Sequence, residues 1–264
     1  MNKTSKLHMT TEEFRKAGYK AIDWIADYYD HIENYPVFPQ VQPGEIRSKL
    51  PKEPPQKGKK YEDILQDMNT MMPGITHWQS PNFHAFFPCA TSGPAILGDL
   101  ISTGLGINGM NWVTSPSATE LESHVLDWLV DMMELPNKFK SKSSGGGVLQ
   151  DTASSSSLVA LIAAREKASK GEINKNGYNG KLTVYTSSQA HSSIEKAVKI
   201  AGIGKNNLRL VDVDDSFAMD TDHLEKLILN DIDNGLQPAY VCATIGTTSS
   251  TAVDPVEQLS LIHI

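Results

Sequence analysis

The chain has 264 residues, a formal net charge of −7 and a pI near 5.6, enough length for one large domain or two modest ones. The acidic balance excludes nucleic acid as a main partner, since phosphate backbones need a basic face. Two cysteines, Cys89 and Cys242, lie far apart and fit a reduced compartment; eight scattered histidines with no HxxxH pair offer no metal site; and no run is apolar enough for a leader or a membrane span, which points to the cytoplasm.

Thr10 and Glu13 read as a capping box, after which Phe14, Ala17, Ala21, Ile22, Ile25, Tyr29 and Ile32 share one helical face. So wide an apolar stripe needs a partner surface. From Tyr35 to Pro55 six prolines keep the chain extended, and the lysine-rich PKEPPQKGKK reads as a solvated linker. A second helix is predicted over about 61–71. The stretch HWQSPNFHAFFPCATSGP that follows has no clean period, and its aromatic, turn-rich make-up suggests a pocket wall. Helices are then predicted at about 95–104 and from a second capping box, Ser117 with Glu120, through Leu121, Val125, Leu129 and Met132.

The stretch GGGVLQDTASSSSLVALIAAR, Gly145 to Arg165, joins three glycines, a hydroxyl-rich burst and a helical pattern from Leu158. Glycines let a backbone approach a ligand closely, and Asp151, Thr152, Ser154 and Ser155 are helix-capping types at the positive end of a helix dipole. This is a seat for a phosphate. Composition alone fits a flexible Gly/Ser linker equally well, but Val148 and Leu149 and the amphipathic helix tie the stretch to a core. Beyond it, β-rich runs at 181–186, 208–213 and 239–244 alternate with helical patterns at about 191–201 and 220–230. That rhythm predicts an α/β layer with a mostly parallel sheet whose ligands bind at the carboxyl ends of the strands. The boundary falls at about residues 70–90, giving a helical arm with a proline-rich linker (1–75) and an α/β domain (76–264).

Three polar segments sit at expected strand ends: the Gly145 stretch, SSQAHSSIEKA with His191, and ATIGTTSSTAVDP with its hydroxyl cluster Thr247 to Thr251. Each has an ordinary reading, as linker, cap or turn; together on one face they would form a site for a phosphate-bearing organic cofactor. Two rival motifs fail on context. Gly104, Gly106 and Gly109 spell GxGxxG but follow a helix, and Ser193 with Lys196 spells SxxK without the SDN and KTG companions.

With these residues in view, the chain resembles the group II pyridoxal-phosphate-dependent amino-acid decarboxylases of the aromatic-L-amino-acid, tyrosine and histidine branch, from about Thr10 to Glu257. The carrying motifs are SPNFHAFFP, NWVTSPSATELE, the Gly145 stretch, QAHSSIEKA and ATIGTTSSTAVDP. The resemblance implies a type I aminotransferase-like large domain with an N-terminal helical arm, pyridoxal 5′-phosphate as cofactor, and a homodimer whose N-terminal helices pack across the partner. It implies decarboxylation of an aromatic L-amino acid to the amine and carbon dioxide, or, in side branches, oxidative decarboxylation to an aldehyde. Those branches often replace the ring-stacking histidine by asparagine, so His191 favours the plain decarboxylase.

The resemblance also implies roles. Ala153 and Ser154 would hold the cofactor phosphate; His191 would stack on the pyridine ring and orient the substrate; Thr248 would contact the cofactor or substrate carboxylate side, with Asp254 supporting that region. Phe86, Phe87, Pro88 and Cys89 match the substrate-pocket wall, followed by Asn108 and Met110. Cys89 stands where many relatives carry a hydroxyl, and Met110 where some carry an aromatic ring, so substrate choice does not transfer directly. The pyridine-pairing aspartate, the Schiff-base lysine and the loop tyrosine of the family have no counterpart before Ile264, and LSLIHI departs from the pattern. The expectation is a C-terminally truncated product that is inactive alone, with an inactive dimerising remnant as the reading from outside enzymology.

Overall fold

The structure is a computed structural model that describes residues 9–86 and 91–261, with side chains to residue 260. It divides into two compact units, residues 1–101 and 102–264.

In the first unit, α1 (Thr11–Asp30) opens on the predicted capping box, with Thr10 and Glu13 bonded in both directions. Of its apolar stripe Ala17 is buried, while Phe14 and Ile22 remain exposed. Helices α2 (Glu45–Lys49) and α3 (Tyr61–Met71) follow, and Lys20 of α1 pairs with Glu62 of α3. His77 is buried, stacked on Tyr35 and bonded through Nδ1 to the Tyr28 hydroxyl at 2.8 Å. The irregular aromatic segment does form a ring cluster: Trp78 lies 4.6 Å from Phe83 and 6.4 Å from Phe86, centroid to centroid. An apolar groove of about 320 Å³ separates Ile22, Ile25 and Tyr29 of α1 from Ile96 and Leu97 of α4 (Gly93–Leu105).

The second unit is built on a three-stranded parallel sheet in the order β2-β1-β3, with β1 Leu182–Ser187, β2 Leu208–Val211 and β3 Gln237–Cys242. All six residues of β1 are buried, as a central parallel strand covered on both faces requires. Val184 packs on one face with Leu161 of α6 (Ala153–Ser169) and Ala197 and Val198 of α8 (Ser193–Ile200). Tyr185 packs on the other with Val211, Met219 and Leu224 and Ile228 of α9 (Thr221–Asp233). The Tyr185 hydroxyl donates to buried Asp231 at 2.6 Å, and Arg209 grips the same carboxylate through Nε and Nη2. Burial and Asp231 push the tyrosine pKa well up, so the hydroxyl stays a donor. Short helices α7 (Glu172–Asn176) and α10 (Val256–Leu261) complete the unit.

Helix α5 (Pro116–Met132) corrects one expectation. Its cap is Ser115, whose hydroxyl accepts from Ala118 N–H at 3.3 Å, with Pro116 at the first helical position, and not Ser117. Glu120, expected to close a box, accepts from the indole N–H of Trp112 at 2.9 Å.

Candidate functional site

Three contacts fix where α6 begins. Its C-terminal half is tied to the amino-end edge of the sheet by Gln237 Nε2–H to the Ala168 carbonyl at 3.1 Å. Arg165 donates to the carbonyl of Ala201, at the far end of α8, at 2.6 Å. Since α8 starts just beyond the carboxyl end of β1, α6 runs alongside it in the same direction. The start of α6, the loop carrying His191 and the turn after β3 therefore leave the sheet at one edge, the one where parallel sheets bind ligands.

At that start Thr152 is the cap, its hydroxyl accepting from Ser155 N–H at 3.2 Å. The helix takes in all four serines. Ser156 and Ser157 turn their hydroxyls back to the carbonyls of Thr152 and Ala153, and Ser155 shares a bond with the Thr152 hydroxyl. Ser154 is exposed, and its hydroxyl has no partner among the described residues; nor have the backbone N–H groups of Ala153 and Ser154. Three donors without obligations thus meet at the positive end of a 17-residue helix.

Two of the three glycines before them, Gly145 and Gly147, pack against the chain itself, while Gly146 has nothing near it. A Cβ on Gly147 would come within 3.0 Å of Leu126, and one on Gly145 within 2.3 Å of the Lys138 carbonyl. Glu122, one turn before Leu126 on α5, accepts the Leu149 N–H at 2.7 Å. The segment entering α6 is therefore pinned at two points by one helix face. The hold of Glu122 carries no local sequence signal, because the partners are 27 residues apart.

His191 is exposed on the loop between β1 and α8, its Nδ1 accepting from Ser193 N–H at 3.2 Å. After β3 the chain forms a tight hairpin in which Ile245 pairs with Val253. Gly246 sits at φ +78° and Thr251 at φ +58°, the latter a strained position for a β-branched residue. Buried Thr247 organises the tip, bonding the Ser250 hydroxyl at 2.6 Å and accepting from Ala252 N–H at 3.2 Å. Thr248 beside it is half-buried, and its hydroxyl has no partner among the described residues. Asp254 supports the hairpin from beneath: Oδ1 accepts from Met219 N–H at 2.8 Å and Oδ2 from Thr244 N–H at 2.7 Å.

Burial pushes the Cys242 thiol pKa up, which favours the protonated form over the nucleophilic thiolate. Among the described residues no group of acidic, histidine or cysteine side chains could hold a metal ion, and no helix is long and apolar enough to cross a membrane. Phe86 of the expected pocket wall is exposed at φ +57°, and Asn108 and Met110 lie on an exposed turn in which the Asn108 side chain accepts Met110 N–H at 3.0 Å. Phe87, Pro88 and Cys89 lie outside the described residues. A cleft of about 570 Å³ between α9, β3 and α10 is lined by none of the predicted site residues.

A family model described as the pyridoxal-dependent decarboxylase conserved domain matches residues 43–264. Tyrosine decarboxylase 4 of Petroselinum crispum is 48% identical over 97% of this chain and 51% of its own length. Phenylacetaldehyde synthase of Arabidopsis thaliana is 46% identical over 96% of this chain and 52% of its own. The crystal structure of Catharanthus roseus tryptophan decarboxylase in complex with L-tryptophan superposes with a TM-score of 0.89 at 43% identity, covering 97% of this chain and 55% of that one. The chain spans about half the length of the curated relatives it matches.

Proposed function

Because this chain belongs to the pyridoxal-dependent decarboxylases, we propose that it forms the phosphate-gripping part of an enzyme that converts an aromatic L-amino acid to its amine and carbon dioxide. The fold is that of the type I enzymes using pyridoxal 5′-phosphate, with the large domain incomplete relative to its full-length relatives. The observation that carries the reading is the donor set at the start of α6. A phosphate dianion needs N–H and O–H groups with no other partner, and Ala153 and Ser154 supply two amides and a hydroxyl of that kind. The residues present therefore fit the cofactor's phosphate.

In this reading Ala153 and Ser154 bind the phosphate, and His191, on the same sheet edge, lays its ring over the pyridine and orients the substrate. Thr248 offers its hydroxyl to the cofactor or the substrate carboxylate side. Asp254 touches no ligand; with both oxygens held by backbone amides it keeps the Thr248 hairpin in place. Bound pyridoxal phosphate supplies the electron sink for the pair left as carbon dioxide departs. The chain's contribution is fixed geometry, which is where positioning yields rate. Pro88 and Cys89 remain candidates for the substrate wall on motif alone.

The names of the relatives support an aromatic substrate. The 46% identity to a phenylacetaldehyde synthase favours a second reading, oxidative decarboxylation to the aldehyde. The exposed Phe14, Tyr19 and Ile22 on α1 support assembly with a second copy as a homodimer. The 264 residues by themselves are expected to be inactive, because the resemblance puts the cofactor-bonding lysine outside them.

The test is a titration of the chain with pyridoxamine 5′-phosphate and with pyridoxamine, followed by calorimetry. Binding should depend on the phosphate. Ser154→Ala, which removes a hydrogen bond to a charged group, should weaken it about tenfold or more, whereas Ser156→Ala should leave it within about twofold, since that hydroxyl is already bonded to Thr152. Equal binding of the two ligands, or equal losses in the two variants, would overturn the assignment.

A further inference from the structure

His191 is exposed yet held. Before it, Ala190 N–H donates to the Ser187 carbonyl at 3.1 Å; after it, Ile194 N–H donates to the His191 carbonyl at 3.1 Å. Ser193, whose N–H meets the ring, opens α8 and is buried together with Ile194, Ala197 and Val198. Core packing thus fixes the position of that amide. A backbone N–H can only donate, so the ring nitrogen it meets at 3.2 Å, Nδ1, must carry the lone pair. In the neutral imidazole the proton then resides on Nε2, which has no partner among the described residues.

We propose that the backbone amide of Ser193 is a positioning group that locks His191 as its Nε2–H tautomer, so that the histidine presents a hydrogen-bond donor to the ligand site. The consequence for ligand choice rests on the proposed function. A substrate carboxylate is acceptor-only; it is complementary to Nε2–H and would meet a lone pair if the ring took the other tautomer. The lock comes from the main chain, so it does not depend on which residue occupies position 193, provided that residue is not proline.

Long-range proton–nitrogen NMR on the whole 264-residue chain, labelled at histidine and held at a pH where imidazoles are neutral, reads the tautomer directly. The His191 signals are assigned by their loss in His191→Gln. A pyridine-like Nδ1 with a pyrrole-like Nε2 is expected; a pyrrole-like Nδ1, or an even mixture, would overturn the proposal.

Amide hydrogen exchange at Ser193 gives a second readout. Asn at 191 keeps a side-chain oxygen able to accept from the amide two residues on, whereas Gln places its oxygen one carbon too far. Exchange should be slow in the wild type and in His191→Asn, and about tenfold faster in His191→Gln; one rate for all three would overturn the lock. Neither measurement uses a vitamin B6 ligand. A failed tautomer assignment and a failed phosphate titration are therefore separate results.

Discussion

His77 shows how one residue sets a pH limit on the fold. It is 1% exposed, with its ring clustered against those of Tyr28 and Tyr35 and its backbone N–H donating to the Val37 carbonyl at 3.0 Å. Burial holds its pKa below the ordinary histidine value, because a charged ring would stand among aromatic neighbours with no carboxylate bonded to it among the described residues. The unfolded chain takes up the proton at a pH where the folded chain resists it. Stability is therefore full above the ordinary value, about 6.5, and is lost as pH falls below it toward the depressed folded value. The thermal midpoint should drop between about pH 7.5 and about pH 5. His77→Gln, less stable overall, should lose that part of the slope; an unchanged slope would remove His77 as its origin. Asp254 and Asp231 are 1% and 2% exposed, but each oxygen is bonded, to backbone amides in one case and to Arg209 and Tyr185 in the other. They act as clamps.

Gly145 is where an element depends on the absence of a side chain. The atoms a Cβ would meet, the Lys138 carbonyl oxygen and the Phe139 Cα at 2.9 Å, belong to the main chain and cannot rotate away. Gly145→Ala should therefore destabilise the second unit by about 1–3 kcal/mol. Gly18→Ala, inside α1 with nothing within 4 Å, should stabilise by about 0.5–1 kcal/mol. Urea midpoints at constant m-value check both, and effects of the same sign would contradict the packing described. Much at this scale was legible beforehand. The three strands fall within two residues of their predicted runs because each is a short run rich in apolar residues with turn residues at each end. Helix α6 starts at Ala153 and not near Leu158, because serines that read as loop chemistry bond back to helix carbonyls. At α5 the proline after Ser115 was the better signal than the Ser117–Glu120 spacing. The candidate site was legible as residue types, but not as bonding. Four consecutive serines look alike until three are seen to be occupied and Ser154 is not. The hold of Glu122 on Leu149 is a long-range contact that no local pattern encodes.

The second unit leaves uncovered the kind of surface that a finished fold buries. On α5, Leu121, Val125, Trp128, Leu129 and Met132 recur at helical spacing and are all exposed, Met132 at 77% and Leu121 at 64%. The flank next to this stripe on the same helix holds Glu122 and Leu126 against the segment that enters α6. An amphipathic helix places one apolar stripe toward a partner, so the outward stripe calls for a second covering surface. The apolar cleft along β3, bounded by Leu224, Ile228, Val256 and Leu259, makes the same demand where β3 is an edge among the described strands. Relatives of about twice the length have chain available to cover both. The 264-residue polypeptide should accordingly bind a hydrophobic dye in its folded state and self-associate as concentration rises. Trp128→Lys combined with Met132→Glu, on the exposed stripe, should reduce both without lowering the unfolding free energy measured in urea by more than about 0.5 kcal/mol, since neither side chain is buried. If sedimentation instead found the unmodified chain monomeric and dye-free, the α5 stripe would be covered within the chain itself, and the need for a further covering surface would disappear.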